Sequence, residues 1–413
     1  NARALKAGHQ YGQTNGALRD RYRVPGTPGV RGRYRRITGI QAIALGLVTA
    51  AESAQLPLVF AGFPIKPASE ILHHLAELRE FDVRSVQAED DPAAIGMAIG
   101  AAFGGALAAT ATSGPGLSLQ SEALGLAVMA ELPLVVIDLQ RAGPSSGMPN
   151  KTEQADLLQA LHGRHGECPL PVLAAATPSD CFAVVREAAR LALRHMTPVI
   201  VLADSFLAHS AEAWRVPAAK DLPRIAVPQR QTTPPANGFL PYARDERLVR
   251  PWPIPGTPGL EHRIGGLEKD PDTGHVSYDP LHHEAMVKLR ARKIAAVADD
   301  IPGLTADGPA TGDVLVLGWG STAGAIQAAV ERMRRRGRSV AAATLRYLAP
   351  LPQNTADVLK RYKRVLLPEL NSGQLARELR ATFGIEITSL CKLQGRPFAV
   401  GEIERKIEEL LSA

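Results

Sequence analysis

The chain has 413 residues, 45% hydrophobic and 21% charged, which suits two or three globular domains and excludes a disordered or fibrous protein. No apolar run approaches the roughly 20 residues that cross a bilayer, and Asn1 to Arg36 is basic and Gly-rich with no apolar centre, so neither a membrane span nor a signal peptide is expected. Much of the +6 formal charge sits in Arg19 to Arg36 and Arg332 to Arg338, which read as a solvated linker and an exposed helix end, so no nucleic-acid partner is expected. Cys168, Cys181 and Cys391 lie far apart without a CxxC pair, which argues against a disulfide framework or a metal site on this chain and fits a reducing cytoplasm.

From Ile37 to about Ala208, short β-branched runs alternate with longer Ala/Leu-rich stretches of helical period, the mark of a parallel sheet wrapped by helices. Leu58 to Phe60 predicts a strand ending in Gly62-Phe63-Pro64, and a helix follows from Ala68 with Ser69 and Glu70 in its first turn. Val83 to Gln87 predicts the next strand. It runs into Glu89-Asp90-Asp91-Pro92, where Pro92 suits the start of an Ala/Gly-rich helix. Ala106 to Thr112 predicts a strand broken by Ser113-Gly114-Pro115-Gly116, then a helix from Leu117 to Ala130. Leu134 to Leu139 reads as an apolar central strand.

After Ala208, Pro, Gly and His dominate with little periodicity to about Pro302. The proline-dense run Pro251 to Gly259 precludes a helix there, and so long an irregular stretch reads as functional or packed on a partner. Alternation returns at Asp313. Val314–Leu317, Ser339–Leu345 and Val365–Leu367 predict strands, with helices over Thr322–Arg336 and Gln374–Thr382. Four segments result: a basic linker over 1–36, a doubly wound α/β domain over 37–215, a Pro/Gly-rich connector over 216–310 and a smaller α/β domain over 311–413.

Polar residues fall just beyond the carboxyl ends of successive strands, where open α/β sheets bind ligands: Lys66, Asp91, Ser113 to Gly116 and Arg141. Taken singly, each is equally a turn residue. His162 and His165 read as ordinary loop histidines. Glu369, Asn371 and Gln374 form a polar turn that suits a structural or an interface role.

The segments Ala61-Gly62-Phe63-Pro64-Ile65-Lys66-Pro67, Gln87-Ala88-Glu89-Asp90-Asp91, Thr112-Ser113-Gly114-Pro115-Gly116, Gln140-Arg141-Ala142-Gly143-Pro144-Ser145 and Lys151-Thr152-Glu153-Gln154 resemble, in order, the alpha subunit of 2-oxoacid:ferredoxin oxidoreductases, most of all those acting on 2-oxoglutarate. So do Arg250-Pro251-Trp252, Gly265-Gly266-Leu267-Glu268 and Pro368-Glu369-Leu370-Asn371. The resemblance implies a thiamine-diphosphate-binding domain of the pyrimidine type, followed by one like the transketolase carboxy-terminal domain. It also implies a cleft shared with a beta subunit, which carries the diphosphate site, Mg2+ and a [4Fe-4S] cluster, in a heterotetramer of two alpha and two beta chains. Coenzyme A would be the co-substrate and ferredoxin the electron acceptor. The present sequence has no Gly-Asp-Gly followed by Asn at the spacing that holds Mg-diphosphate. Asn1 to Arg36 is similar to the join that follows an upstream gamma domain in this family.

By the same resemblance, Phe63, Pro64, Asp91, Ser113, Gly114, Pro115 and Gly116 meet the cofactor, and Lys66, Ile65, Arg141, Ser145, Lys151 and Thr152 face the substrate. The catalytic carboxylate is Asp91, counted back from Gly100, with Glu89 second. The family resembles Glu-Asp-Glu where this chain has Glu89-Asp90-Asp91, and Thr where it has Lys66. An ammonium at that position matches a dicarboxylic substrate by charge. Pyruvate or a branched-chain 2-oxoacid is the alternative substrate, and a non-catalytic scaffold of the same fold is the alternative class.

Overall fold

The computed structural model describes residues 1–16, 29–236 and 238–412, and it divides into two units, Asn1–Tyr34 and Arg35–Ala413. In the first, Ala2–Thr14 is a helix with no buried residue, within the segment that reads as a linker; residues 19–28 of the basic run lie outside the described residues.

Two sheets organise the second unit. The larger one contains β1 (Leu58–Gly62), β2 (Val83–Gln87), β3 (Leu107–Thr112), β4 (Leu134–Gln140), β5 (Val172–Ala174) and β6 (Pro198–Asp204), all parallel, in the spatial order β5-β6-β4-β3-β1-β2. Helix α1 (Gly39–Ala54) precedes β1, α2 (Asp91–Phe103) crosses from β2 past β1 to β3, and α3 (Ser121–Ala130) and α4 (Asp180–His195) join parallel neighbours, connections of the length that parallel strands need. Helix α1 starts on a capping box, with Gln41 N–H donating to Thr38 Oγ1 and Thr38 N–H to Gln41 Oε1. Every residue of β3, β4 and β6 is buried. Their alternation separates two cores. Ala109, Val135, Ile137 and Leu139 pack with α1 and α4, while Ala108, Leu134 and Val136 pack with the small residues of α2 and with Leu315, Leu317 and Trp319 of the second sheet.

The second sheet has the order β7-β9-β8-β11-β12, from β7 (Ala306–Asp307), β8 (Gly312–Gly318), β9 (Val340–Thr344), β11 (Tyr362–Glu369) and β12 (Thr388–Cys391), with β7 alone antiparallel. The intervening β10 (Tyr347–Ala349) leaves this sheet and pairs antiparallel with β5, closing the edge of the larger one. The carboxy-terminal part therefore completes the first sheet rather than standing apart. No helix among the described residues is long and apolar enough to cross a membrane.

The irregular connector carries a helix that the sequence reading does not anticipate, α5 (Pro280–Ala295), with Asp279 as its N-cap. Its buried positions are Met286, Arg290, Lys293 and Ile294, half of them cationic, so its inward face is not apolar. Lys293 Nζ donates to Glu131 Oε2 at 2.7 Å and Arg244 Nε to Glu131 Oε1 at 3.1 Å, all three side chains being buried. Lys269 Nζ reaches the Met129 carbonyl and Arg250 Nε the Ala130 and Glu131 carbonyls, so three connector cations and α5 converge on the negative end of α3. Tyr242 lies beneath Arg244, Arg250 and Lys269. Burial alone would push the Glu131 carboxyl up, but Lys293 and Arg244 override it and hold it down to about 2.

The basic run at the end of α6 (Thr322–Arg335) is largely neutralised. Arg332 and Arg336 pair with Glu404, and Arg338 pairs with Glu408 on the terminal helix Val400–Ser412. Exposed pairs of this kind contribute little stability.

Replacing Glu131 by Gln strands Arg244 and Lys293 without a counter-charge and is expected to cost about 3–5 kcal/mol at neutral pH. The stabilisation from a depressed carboxyl is complete above its ordinary value of 4.5 and is lost as the pH falls toward about 2. Urea unfolding at a series of pH values should therefore show a flatter acid limb in E131Q than in the parent chain.

Candidate functional site

The chain runs from β1 outward to the edge strand β2 and then returns to β3 on the other side of β1. The reversal opens a crevice between the carboxyl ends of β1 and β3, the general ligand position of an open α/β sheet. Phe63 to Pro67 follow β1, Ser113 to Gly116 follow β3, and α2 begins at Asp91 after β2.

Asp90 caps α2, its side chain accepting from Ala93 N–H at 2.6 Å, which leaves the next residue free to turn inward. Asp91 is 3% exposed. Thr112 Oγ1 donates to its Oδ1 at 2.6 Å, and Gln120 Nε2 lies 3.4 Å from both that oxygen and the Asp91 carbonyl. No hydrogen bond from a described residue reaches Oδ2. Burial raises the proton affinity of this carboxyl, and the Thr112 bond opposes the shift only in part. Gly116 makes the arrangement possible: a Cβ there would stand 1.8 Å from Thr112 Oγ1 and 2.6 Å from Asp91 Oδ1. Glu89, by contrast, is exposed.

Gly114, at φ +63°, has a similar reason. A Cβ would come within 2.7 Å of Arg141 Nε, so the guanidinium lies directly over the Ser113–Gly116 turn. Ser113 is fully buried and its hydroxyl donates to the Leu139 carbonyl, so only its backbone is left to face a ligand. Asp91, the turn and Arg141 are thus brought together. Phe63 and Ile65 are half-buried, Pro64 and Lys66 exposed, and no hydrogen bond among the described residues ties that loop to Asp91 or Arg141. Beyond Arg141, Ser145 and Lys151 are exposed and Thr152 is buried; Lys151 lies against Gly395 of the carboxy-terminal part, where a Cβ would meet Lys151 Cβ at 2.9 Å.

Several polar residues hold this ground, among them Glu369 and Asn371 of the polar turn named in the sequence. Gln154 is fully buried, and its Nε2 donates to the Trp319 carbonyl while its Oε1 accepts from Leu370 N–H, both at 2.9 Å. Asn371 returns a bond to the Gln154 carbonyl. Glu369, also fully buried, accepts from Trp319 Nε1 and from the Leu375 and Ala376 N–H groups at the start of α7 (Gln374–Phe383). The polar turn is therefore an internal joint between the Arg141 loop and the second sheet. Asp138 breaks the apparently apolar run of β4, a signal in plain view, since an unpaired acid in a central strand is costly. The helix expected over Leu117–Ala130 is interrupted at Gln120, whose side chain turns to Asp91. His162 ends a short helix and meets Glu378 at 3.0 Å, and no metal-binding group of three or more His, Cys, Asp or Glu occurs among the described residues.

Comparison with known proteins places these features in context. Residues 50–274 match the family described as pyruvate flavodoxin/ferredoxin oxidoreductase, thiamine diP-binding, and residues 312–403 match pyruvate:ferredoxin oxidoreductase core domain II. The 2-oxoglutarate oxidoreductase subunit KorA of Mycobacterium tuberculosis is 51% identical over 415 residues, covering 100% of this chain, which spans 63% of that relative's length. The 2-oxoglutarate synthase subunit KorA of Archaeoglobus fulgidus is 34% identical, covering 81% of this chain and 87% of its own. The solved 2-oxoglutarate:ferredoxin oxidoreductase from Magnetococcus marinus, with 2-oxoglutarate, coenzyme A and succinyl-CoA bound, superposes with a TM-score of 0.92 at 34% identity, covering 99% of this chain and 70% of its own.

Gly116→Ala should force Thr112 and Asp91 apart and destabilise the chain by about 1–3 kcal/mol, as overpacking does. Gly125 in α3 has nothing within 4 Å of an added Cβ, so Gly125→Ala should instead stabilise by about 0.4–1 kcal/mol. Urea unfolding of the two variants side by side checks the contrast.

Proposed function

The chain belongs to the family of 2-oxoacid:ferredoxin oxidoreductase alpha subunits, and from this premise we propose that it supplies half of a thiamine-diphosphate cleft for the interconversion of 2-oxoglutarate plus coenzyme A with succinyl-CoA and CO2. Electrons pass to or from ferredoxin. The other half of the cleft, with the diphosphate site, Mg2+ and a [4Fe-4S] cluster, belongs to a beta subunit, in a heterotetramer of two alpha and two beta chains. The relatives' names and the ligands of the Magnetococcus marinus enzyme support 2-oxoglutarate as the substrate.

One observation carries the reading: Asp91 is a buried carboxylate with one oxygen fixed by Thr112, beneath a turn cleared of side chains by Gly116. Those residues fit an aminopyrimidine. When bound, thiamine diphosphate supplies the carbon nucleophile that attacks and decarboxylates a 2-oxoacid. Asp91 Oδ2 holds a proton against the ring nitrogen, and the raised proton affinity of the carboxyl brings it closer to sharing that proton. Ser113 to Gly116, with Phe63 and Pro64, would line the cofactor's ring. Arg141 receives the 2-oxoacid carboxylate with a planar fork, and its fixed place over Gly114 means that little ordering remains to be done on binding. Lys66, on the loop after β1 with Ile65 beside it, pairs with the distal carboxylate, while Ser145, Lys151 and Thr152 bound the far side.

In the purified complex, Asp91→Ala should abolish turnover while the subunits still coelute; near-normal activity would remove Asp91 from its role. Lys66→Ala should raise KM for 2-oxoglutarate by about tenfold or more and leave a monocarboxylic 2-oxoacid almost unaffected, as loss of one charge-assisted contact predicts. An equal rise for both substrates would end the case for a dicarboxylate.

A further inference from the structure

Asp138 stands at the carboxyl end of β4 with no solvent exposure, in register with Thr112 on β3 and Leu202 on β6. Neither of its carboxyl oxygens meets an N–H or O–H donor. Its hydrogen-bonding neighbour is another acid, Asp156, which ends the loop begun at Arg141 and itself has a buried Oδ2 without a donor. Two carboxylates cannot hydrogen-bond to each other unless a proton lies between them; the Gln140 amide lies against Asp156, but no described donor reaches either oxygen of Asp138. Arg141 lies close enough to favour ionisation of both, yet its buried Nε has no partner and its guanidinium is held over Gly114.

We infer that Asp138 and Asp156 share one proton and act as positioning residues, holding the floor of the site at a single negative charge so that Arg141 stays available for a ligand carboxylate. A doubly ionised pair would draw Arg141 down into an ion pair; a shared proton leaves it free. The role of Arg141 rests on the function proposed above, whereas the shared proton does not. The charged groups facing the pair are Asp91 from α2, with Arg141 and Glu153 from the loop after β4; Asp204, at the end of β6, is in register with Gln140. Burial raises the proton affinity of both acids; at Asp138 the neighbouring Asp156 adds to the rise, at Asp156 the contacts with Asp138 and Gln140 oppose it, and Arg141 opposes it at both. The pair therefore loses its proton as the pH rises.

Infrared spectroscopy of the purified chain, labelled with 13C at the aspartate carboxyls, tests the proton directly without cofactor or substrate. At neutral pH a label-shifted band of a neutral carboxylic acid is expected, and the same band should vanish in both Asp138→Asn and Asp156→Asn. Each amide can donate in place of the lost acid, so each variant keeps one negative charge, and either serves if the other fails to fold. No such band in the parent chain, or one that survives in both variants, overturns the shared proton. In the holoenzyme, KM for the 2-oxoacid should rise at alkaline pH as the pair ionises, and this limb should be absent in Asp138→Asn. An unchanged alkaline limb overturns the link to Arg141. An enzyme inactive on 2-oxoglutarate whose band still disappears in the variants would refute the proposed function and leave the acid pair standing.

Discussion

A carboxylate withdrawn from water is the constraint around which this site is arranged. Asp91 is almost fully enclosed, and an ion in that position is tolerated only where hydrogen bonds replace its hydration. Here the replacement is lean: the Thr112 hydroxyl at 2.6 Å, a long approach from the Gln120 amide, and the positive end of α2, on whose first residue the side chain is carried. An under-satisfied carboxyl keeps a raised proton affinity and an acceptor oxygen to spare, two properties wanted in a residue that holds a proton on a ligand ring.

The rigidity that such a residue needs comes from the second sheet. Gln154 ties the loop beyond Arg141 to Trp319 and Leu370, Asn371 closes the ring of bonds, and Glu369 fixes the turn that carries Asn371. Strand β10 adds a covalently linked edge strand to the larger sheet. On the opposite side, the cations of the connector are gathered by Glu131 and the last carbonyls of α3. The long irregular connector is therefore a strap held by charge, and its position against α3 fixes the helix that follows the Ser113–Gly116 turn.

Much of this was legible in the residues. The strands of the larger sheet announce themselves because central parallel strands are buried on both faces and read as short apolar runs, and their ends announce themselves because Gly, Pro and Asp collect there. Helix α5 stayed hidden for the converse reason. Its inward positions include Arg290 and Lys293, which are buried only because Glu268 and Glu131 lie opposite, so its sequence carries no apolar stripe. Pairing across more than a hundred residues cannot be read from local periodicity. Asp138 sits in a run that reads as apolar, and Gln120 in one that reads as a continuous helix. Both are polar residues that break the local pattern, and such local inconsistencies gather at functional sites.

The shorter acid at position 91 follows from the same packing. A carboxylate one methylene closer to the backbone can reach Thr112 only if nothing intervenes, and the closeness of the Gly116 backbone provides that gap. The aspartate and the glycine therefore act as one unit: a longer side chain at 91 would press on the turn, and any side chain at 116 would push the acid away from β3. The chain that differs from the Glu-Asp-Glu pattern it resembles thus carries a carboxylate that is almost fully buried. There burial raises its proton affinity, the Thr112 hydroxyl opposes the rise and the charge of Asp90 adds to it.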